Sequence, residues 1–229
     1  MNSLLIGFLS IIVTLIVYIL ILKLHQKIIS PMTLPIFLGS IIIITGLVVF
    51  DIPYDTYMIG GEWINQLLGP AVVALAYPLY QQRHLISKLI VPVLCGTTVG
   101  AIVGVSSGIL LAGWSGVDDF IIYSLIPKSV TTPVSMAIAD SMGGVMSLAA
   151  VFVIIAGIGG VIMSPWVFKW FKIEQAISRG VGMGSASHAI GTAHSMESSQ
   201  LEGSVSTIAM VLSAVIVSLI APIMVFLIM

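Results

Sequence analysis

Charge is what this sequence has least of. Only 7% of its 229 residues are Asp, Glu, Lys or Arg, while 59% are hydrophobic and the mean hydropathy is +1.19. Soluble domains carry roughly a quarter charged residues, so the soluble class is excluded. The net charge of −1 offers no footprint for nucleic acid. Cysteine is scarcer still. Cys95 stands alone, so no internal disulfide can form, and its place in an apolar run reads as a small packing residue. The first apolar run also lacks a basic leader and a cleavage site, which makes it a retained helix rather than a signal peptide.

What is present in quantity is long charge-free sequence. Met1–Leu22, Ile28–Phe50, Trp63–Gln82, Leu89–Val117, Ser141–Phe168 and Gly203–Met229 hold no charged residue. About twenty apolar residues cross the hydrocarbon core as a helix, so the class is an all-α polytopic membrane protein. The pattern predicts helices over about 4–24, 32–50, 63–82, 86–112, 144–168, 178–197 and 204–228. The third is expected to kink or break at Gly69, Pro70 and Pro78, after an acidic loop with Asp51, Asp55 and Glu62.

Lys and Arg prefer the cytoplasmic side. Lys23, Lys27, Arg83, Lys88, Lys169, Lys172 and Arg179 then lie inside, and the N-terminus outside. On that scheme the segment 120–142 enters and leaves by one side, as two half-helices broken around Pro127 and Pro133; a full crossing with Lys128 snorkelling is the rival. The helix over 178–197 crosses outward, and the last helix brings the C-terminus to the cytoplasm. About eight segments result, in one domain of two inverted halves, 1–117 and 118–229, with interrupted segments in corresponding positions.

Two polar stretches interrupt the grease. Lys128 is the only charged residue between Asp119 and Asp140, with Ser129, Thr131 and Thr132 beside it and a helix restarting at Pro133. An ionisable group at membrane depth is costly and suggests function, and a helix N-terminus with hydroxyls suits an anion. The bland alternative is a snorkelling lysine with hydroxyls capping a kink. In Arg179–Glu202, Gly182, Gly184 and Gly191 permit unwinding, while Ser185, Ser187, His188 and Thr192 supply donors. His188 could bind a carboxylate or shuttle a proton, or simply bond a backbone carbonyl. Asp140, Glu197 and Glu202 lie near segment ends and read as solvated.

Gly96, Gly100, Gly104 and Gly108 recur every four residues and line one helical face. Such a face allows a neighbouring backbone close, as a static crossing or a sliding surface. His188 and His194, six apart, lie about 240° apart on a helix, unlike zinc ligands, so neither metal nor cofactor is expected. No G-x-S-x-G elbow occurs, and an enzyme is not expected.

The motifs themselves carry a resemblance. Leu68-Gly69-Pro70-Ala71-Val72-Val73-Ala74-Leu75-Ala76 with Pro78-Leu79-Tyr80, Pro127-Lys128-Ser129-Val130-Thr131-Thr132-Pro133 with Gly143-Gly144, and Ser187-His188-Ala189-Ile190-Gly191-Thr192-Ala193 with Glu202-Gly203 stand in order along the chain. They are similar to the motifs of the LrgB/CidB family of bacterial membrane proteins. Val72 stands where the family usually has Thr, which weakens a hydroxyl from that helix.

The resemblance implies a plasma-membrane protein described as holin-like or antiholin-like. Such proteins act with a small LrgA/CidA-type partner on murein hydrolase activity and cell lysis. Related proteins implied by it include a plastid glycolate/glycerate carrier and bacterial pyruvate carriers. Holins form pores from simple helices and do not need such polar clusters, so the residues favour transport of a small monocarboxylate, coupled to a proton or another ion. The substrate is expected between Lys128–Pro133 and Ser185–Thr192. A homo-oligomer is left open.

Overall fold

The structure is a computed structural model that describes every residue except 1, 2, 29, 31, 32, 34, 68, 69, 71, 72, 74, 75, 82 and 229, with the side chains of 3, 36, 76, 78, 79 and 86 also outside it. The described residues are helical, and they pack as two compact units, Met1–Ala71 and Val72–Met229.

The first unit holds α1 (Ser3–Lys27), α2 (Pro35–Val49) and α3 (Tyr54–Asn65). α1 and α3 touch where Gly7 faces Gly60, because a methyl on Gly60 would strike the Gly7 carbonyl oxygen. The Thr14 and Tyr57 hydroxyls hydrogen-bond at 2.9 Å on the same seam. The acidic loop expected around Asp55 and Glu62 is therefore helical. Asp55 sits in the first turn of α3, where the helix dipole favours a negative charge. α3 stops at Asn65, so no continuous helix runs over 63–82. Gly69 lies outside the described residues, Pro70 is helical, and Pro78 falls within α4 (Ala76–Gln81) of the second unit.

The second unit continues with α5 (Arg83–Trp114), α6 (Asp119–Leu125), α7 (Thr132–Ser141), α8 (Met146–Trp170), α9 (Ala176–Ser198) and α10 (Gln200–Ile228). Neighbours along these helices give their directions. Val181 and Ser185 of α9 lie against Gly96 and Gly100 of α5, so the two run parallel. Gly180 and Gly184 lie against Glu202 and Ser206, which makes α10 parallel to them as well. Against α8 the order reverses: Gly182 meets Phe168, Ser187 meets Gly160 and His188 meets Gly157. Apolar side chains of α5 (Val105, Ile109), of the α6–α7 segment (Ile126, Val130) and of α10 (Val217, Ala221) form the main core.

Among the described residues, α1, α5, α8 and α10 contain stretches long and apolar enough to cross a membrane. At 1.5 Å per residue, 25 residues cover about 37 Å against a hydrocarbon core of about 30 Å. α2, with 15 residues, reaches about 22 Å. The protein is a multi-pass helical membrane protein.

The described residues do not form the eight crossings in two inverted halves that were expected. The broken segment predicted over 120–142 is present as α6 and α7, joined by a turn at 126–131. The predicted crossing over 178–197 is absent, because α9 folds back on itself at His188, whose backbone has φ 42° and ψ −131°. A straight helix would hold residues 184 and 192 about 12 Å apart. Instead Gly184 packs on the Ser206 carbonyl while Thr192 bonds the Ser206 hydroxyl at 2.9 Å. Farther along, Gly203 packs on Met196. Residues 176–187 and 189–198 are thus two arms of a hairpin. α10 consequently ends at the Trp114 end of the unit, not at the basic end where the C-terminus was expected.

Candidate functional site

Two helical hairpins enter the second unit from opposite ends. The first, α6–α7, starts and finishes at the end holding Trp114 and Met146; the second, formed by the arms of α9, starts and finishes at the end holding Arg83 and Trp170. Both converge on the glycine face of α5. A methyl on Gly96 would lie 2.9 Å from Val181 Cγ1, and one on Gly100 would lie 3.3 Å from Ser185 Oγ. One turn on, the neighbours change hairpin: Ser129 Oγ lies 3.7 Å from such a methyl on Gly104, and Lys128 Nζ 2.9 Å from one on Gly108. The four glycines therefore form one track, with the second hairpin on its first half and the tip of the first hairpin on its second.

Lys128 sits at the break because Pro127 and Pro133 disfavour a helix through it. Its ammonium donates a hydrogen bond to the Gly104 carbonyl at 3.0 Å. Ser129 and Ser185 meet α5 at glycines four residues apart, about 6 Å along the axis. Lys128, Ser129 and Ser185 are thus brought together. Thr131 is the N-cap residue of α7, with Thr132 and Pro133 in its first turn, where the missing proline N–H leaves no bond broken.

Most serine and threonine hydroxyls here bond back to a carbonyl three or four residues earlier, as Thr97 does to Val93 at 2.6 Å and Ser185 to Val181 at 2.7 Å. Thr131 Oγ1, Ser135 Oγ, Ser187 Oγ, Ser195 Oγ and Ser213 Oγ do not, although all five are buried and have no hydrogen-bond partner among the described residues. A buried hydroxyl left unpaired costs about 1–3 kcal/mol. Two of these five, Thr131 and Ser135, flank the N-terminus of α7, beside the only cation of the segment. The donor set (one ammonium, hydroxyls, first-turn N–H groups) suits an anion.

The remaining predicted residues are placed elsewhere. His188 is 2% exposed, and its Nε2 lies 2.9 Å from the Val153 carbonyl oxygen of α8. A carbonyl can only accept, so Nε2 carries the proton. Ser187 is pressed against Gly160 of the same helix. Both anchor the tip of the second hairpin to α8 and do not face α5. Thr192 clasps Ser206 of α10, and Gly191 packs on the Met183 carbonyl of the opposite arm. Gly182 and Gly184 do not unwind the chain; the helix runs through both, and Gly184 instead admits the α10 backbone. Cys95 is exposed rather than packed.

Two features escaped sequence reasoning. Gly157 and Gly160 of α8 form the socket for His188 and Ser187, and their closely spaced glycines were the available signal. Glu202 is 5% exposed, not solvated like Asp140 and Glu197. It lines a cavity of about 480 Å³ at the basic end with Lys169, Lys172, Glu174, Arg179 and His194.

Comparison with known proteins agrees with the motifs. The LrgB-like family matches residues 14–227. The chain belongs to the LrgB family. It is 33% identical over 227 residues to the holin-like protein CidB of Staphylococcus aureus, covering 99% of each chain. The holin-like protein CidB of Staphylococcus epidermidis is 34% identical over 230 residues, again covering 99% of each. An uncharacterized protein of Bacillus subtilis, YxaC, is 45% identical over 222 residues, 97% of this chain and 96% of that one. No solved structure matches.

Proposed function

We propose that this LrgB-family protein carries small monocarboxylates of the pyruvate or glycolate type across the bacterial plasma membrane, coupled to a proton or another ion, as a carrier rather than an enzyme. The observation that supports it most is the convergence of two opposed hairpins on one glycine track, with Lys128, Ser129 and Ser185 brought together there. Discontinuous helices meeting inside the membrane are how secondary transporters build ion and substrate sites. One ammonium with hydroxyls and helix N–H groups matches one carboxylate bearing a hydroxyl or keto oxygen. The Lys128 ammonium donates to the Gly104 carbonyl, a weaker partner than a carboxylate would be.

Charge gives the orientation. Arg83, Lys88, Lys169, Lys172 and Arg179 cluster at one end of the second unit and Asp118, Asp119 and Asp140 at the other. The basic end is cytoplasmic on the positive-inside rule. The first hairpin then enters from outside, the second from the cytoplasm, and the C-terminus lies outside. On the same rule α1, with Lys27 in its last turn, begins outside.

The second reading is a holin-like or antiholin-like component, acting with an LrgA/CidA-type partner on murein hydrolase export and lysis. The names of the staphylococcal relatives favour it. Proteoliposomes separate the two. The carrier is expected to show saturable uptake of labelled pyruvate or glycolate, lost in Lys128→Ala. Leakage of a large dye, indifferent to that substitution and without saturable uptake, supports the holin-like reading instead.

A further inference from the structure

The first turn of α10 has the sequence of a capping box, Ser199-Gln200-Leu201-Glu202, but only half of the box is made. The Glu202 N–H donates to Ser199 Oγ at 3.1 Å. In the complete motif the glutamate carboxylate reaches back to the N–H of the serine. Here that N–H is already engaged, donating to the Ser195 carbonyl at 3.1 Å. Ser199 alone joins α9 to α10, so the last bond of the second arm takes the donor that the carboxylate would have used. Glu202 is left 5% exposed, with no hydrogen bond or ion pair to its carboxylate among the described residues. Its oxygens are not sealed in the protein but open onto the cavity at the basic end.

The rest of that cavity is mainly of the opposite sign. Lys169 and Lys172 are exposed, and neither ammonium has a hydrogen bond or ion pair among the described residues. Arg179 is half-buried and fixed, with Nε donating to the Ile173 carbonyl at 2.8 Å and the guanidinium over the Phe168 ring. Its two terminal nitrogens stay without a partner among the described residues. Glu174 is exposed, and His194 lies 3.9 Å from Glu197 on its own arm.

A ligand of one sign fits this arrangement badly. An anion would gain the three cations but lie against Glu202, and a lone cation would meet Glu202 only among those three. No group of three or more metal-ligating side chains occurs among the described residues. A molecule with both charges satisfies each side, since a buried carboxylate needs a donor and free guanidinium nitrogens need an acceptor. The volume of about 480 Å³ suits a small molecule.

We propose that this cavity binds a small zwitterion, its primary ammonium on Glu202 and its carboxylate or phosphate on Arg179, Lys169 and Lys172. A free amino acid and the head group of an aminophospholipid share that chemistry. The second source is within reach because α8 ends here with Trp166 and Trp170 exposed, as aromatic residues do at a membrane interface. Either occupant bridges the end of α8 to the start of α10, across the base of the second hairpin.

The test uses the full chain in nanodiscs of phosphatidylcholine, whose quaternary ammonium has no N–H to donate. Calorimetric titration compares L-alanine and O-phosphoethanolamine with propionate and ethylamine, which carry one charge each. At least one zwitterion should bind saturably, about tenfold or more tighter than either single-charge probe. Glu202→Gln keeps the shape and removes the charge, and should weaken that binding about tenfold or more. The double substitution Lys169→Gln and Lys172→Gln, at the exposed rim, should weaken it too, and an unchanged Tm without ligand shows that the variants fold. Propionate binding as tightly as L-alanine, or zwitterion binding that Glu202→Gln leaves unchanged, overturns the proposal. Nanodiscs containing phosphatidylethanolamine separate the two sources. The lipid head group is the occupant if this lipid raises the Tm of the wild type but not of Glu202→Gln; a free solute is the occupant if L-alanine binding is the same with and without it. If neither zwitterion binds and phosphatidylethanolamine gives no rise in Tm that depends on Glu202, the site is overturned.

Discussion

The two hairpins do the same topological job by different physics. The first reverses over six residues, 126–131, with Pro127 and Pro133 disfavouring a helix through it; Ile126 and Val130 sit in the main core and Lys128 bonds the Gly104 carbonyl. The second reverses at a single residue. His188 takes a backbone conformation that a side chain rarely adopts, costing about 1–3 kcal/mol, and is held by its ring on Val153 and by the glycine sockets around it. The first turn buries Ile126, Pro127 and Val130 and keeps Lys128 and Ser129 half-buried on the α5 glycines; the second hairpin is packed on α8 and α10 through glycine contacts. The difference leaves the ammonium that the carrier proposal uses at the first tip, and a strained apex anchored to α8 at the second.

That contrast can be broken from the packed side with the largest effect. Gly184→Ala drives a methyl into the Ser206 carbonyl oxygen and toward Ala209 Cβ, and neither can swing away. Overpacking of this kind costs about 1–3 kcal/mol, and thermal unfolding in detergent should show a clear fall in Tm. A wild-type Tm would mean the second hairpin is not packed on α10 as described.

The strained apex gives an intermediate effect. His188→Gly and His188→Ala both lose the bond to Val153, leaving a buried carbonyl without its partner. Only glycine adopts the positive φ freely, an advantage of about 1 kcal/mol. The glycine variant should therefore melt above the alanine variant. Equal melting would remove the claim of strain at this residue.

The first tip gives the smallest stability effect and a functional one. Gly104→Ala places a methyl at ordinary contact distance, so stability should change by less than about 0.5 kcal/mol. Gly108→Ala meets the Lys128 ammonium, the far end of a flexible chain that can yield cheaply. Its Tm should also hold, but the lysine is displaced, and pyruvate uptake in proteoliposomes should fall well below that of Gly104→Ala. If both variants transport alike, the ammonium's position on the track does not matter.

Legibility in the sequence followed the range of the forces. Pro127 and Pro133 break a helix through their own rings, a covalent and local effect, so the first hairpin could be read directly. No proline marks His188, and the glycines near it, Gly182 and Gly184, pointed to the wrong place for the break. They serve helix packing instead. The charge rule, applied to a crossing that α9 does not make, placed the C-terminus at the basic end, whereas α10 runs to the Trp114 end.

What the sequence by itself determined is the membrane class, the long apolar helices, the first hairpin, the glycine face of α5 and membership of the LrgB family. Each follows from composition, local covalent geometry or a contiguous motif. Tertiary structure alone decided that α9 turns back, that Ser185 shares the track with Lys128 while Ser187 and His188 face α8, and that Glu202 is buried. These depend on which helix lies opposite: Val153, Gly157 and Gly160 of α8 fit His188 and Ser187, and α10 closes over Gly180 and Gly184. A partner distant in the chain leaves no periodic mark on the residues it constrains.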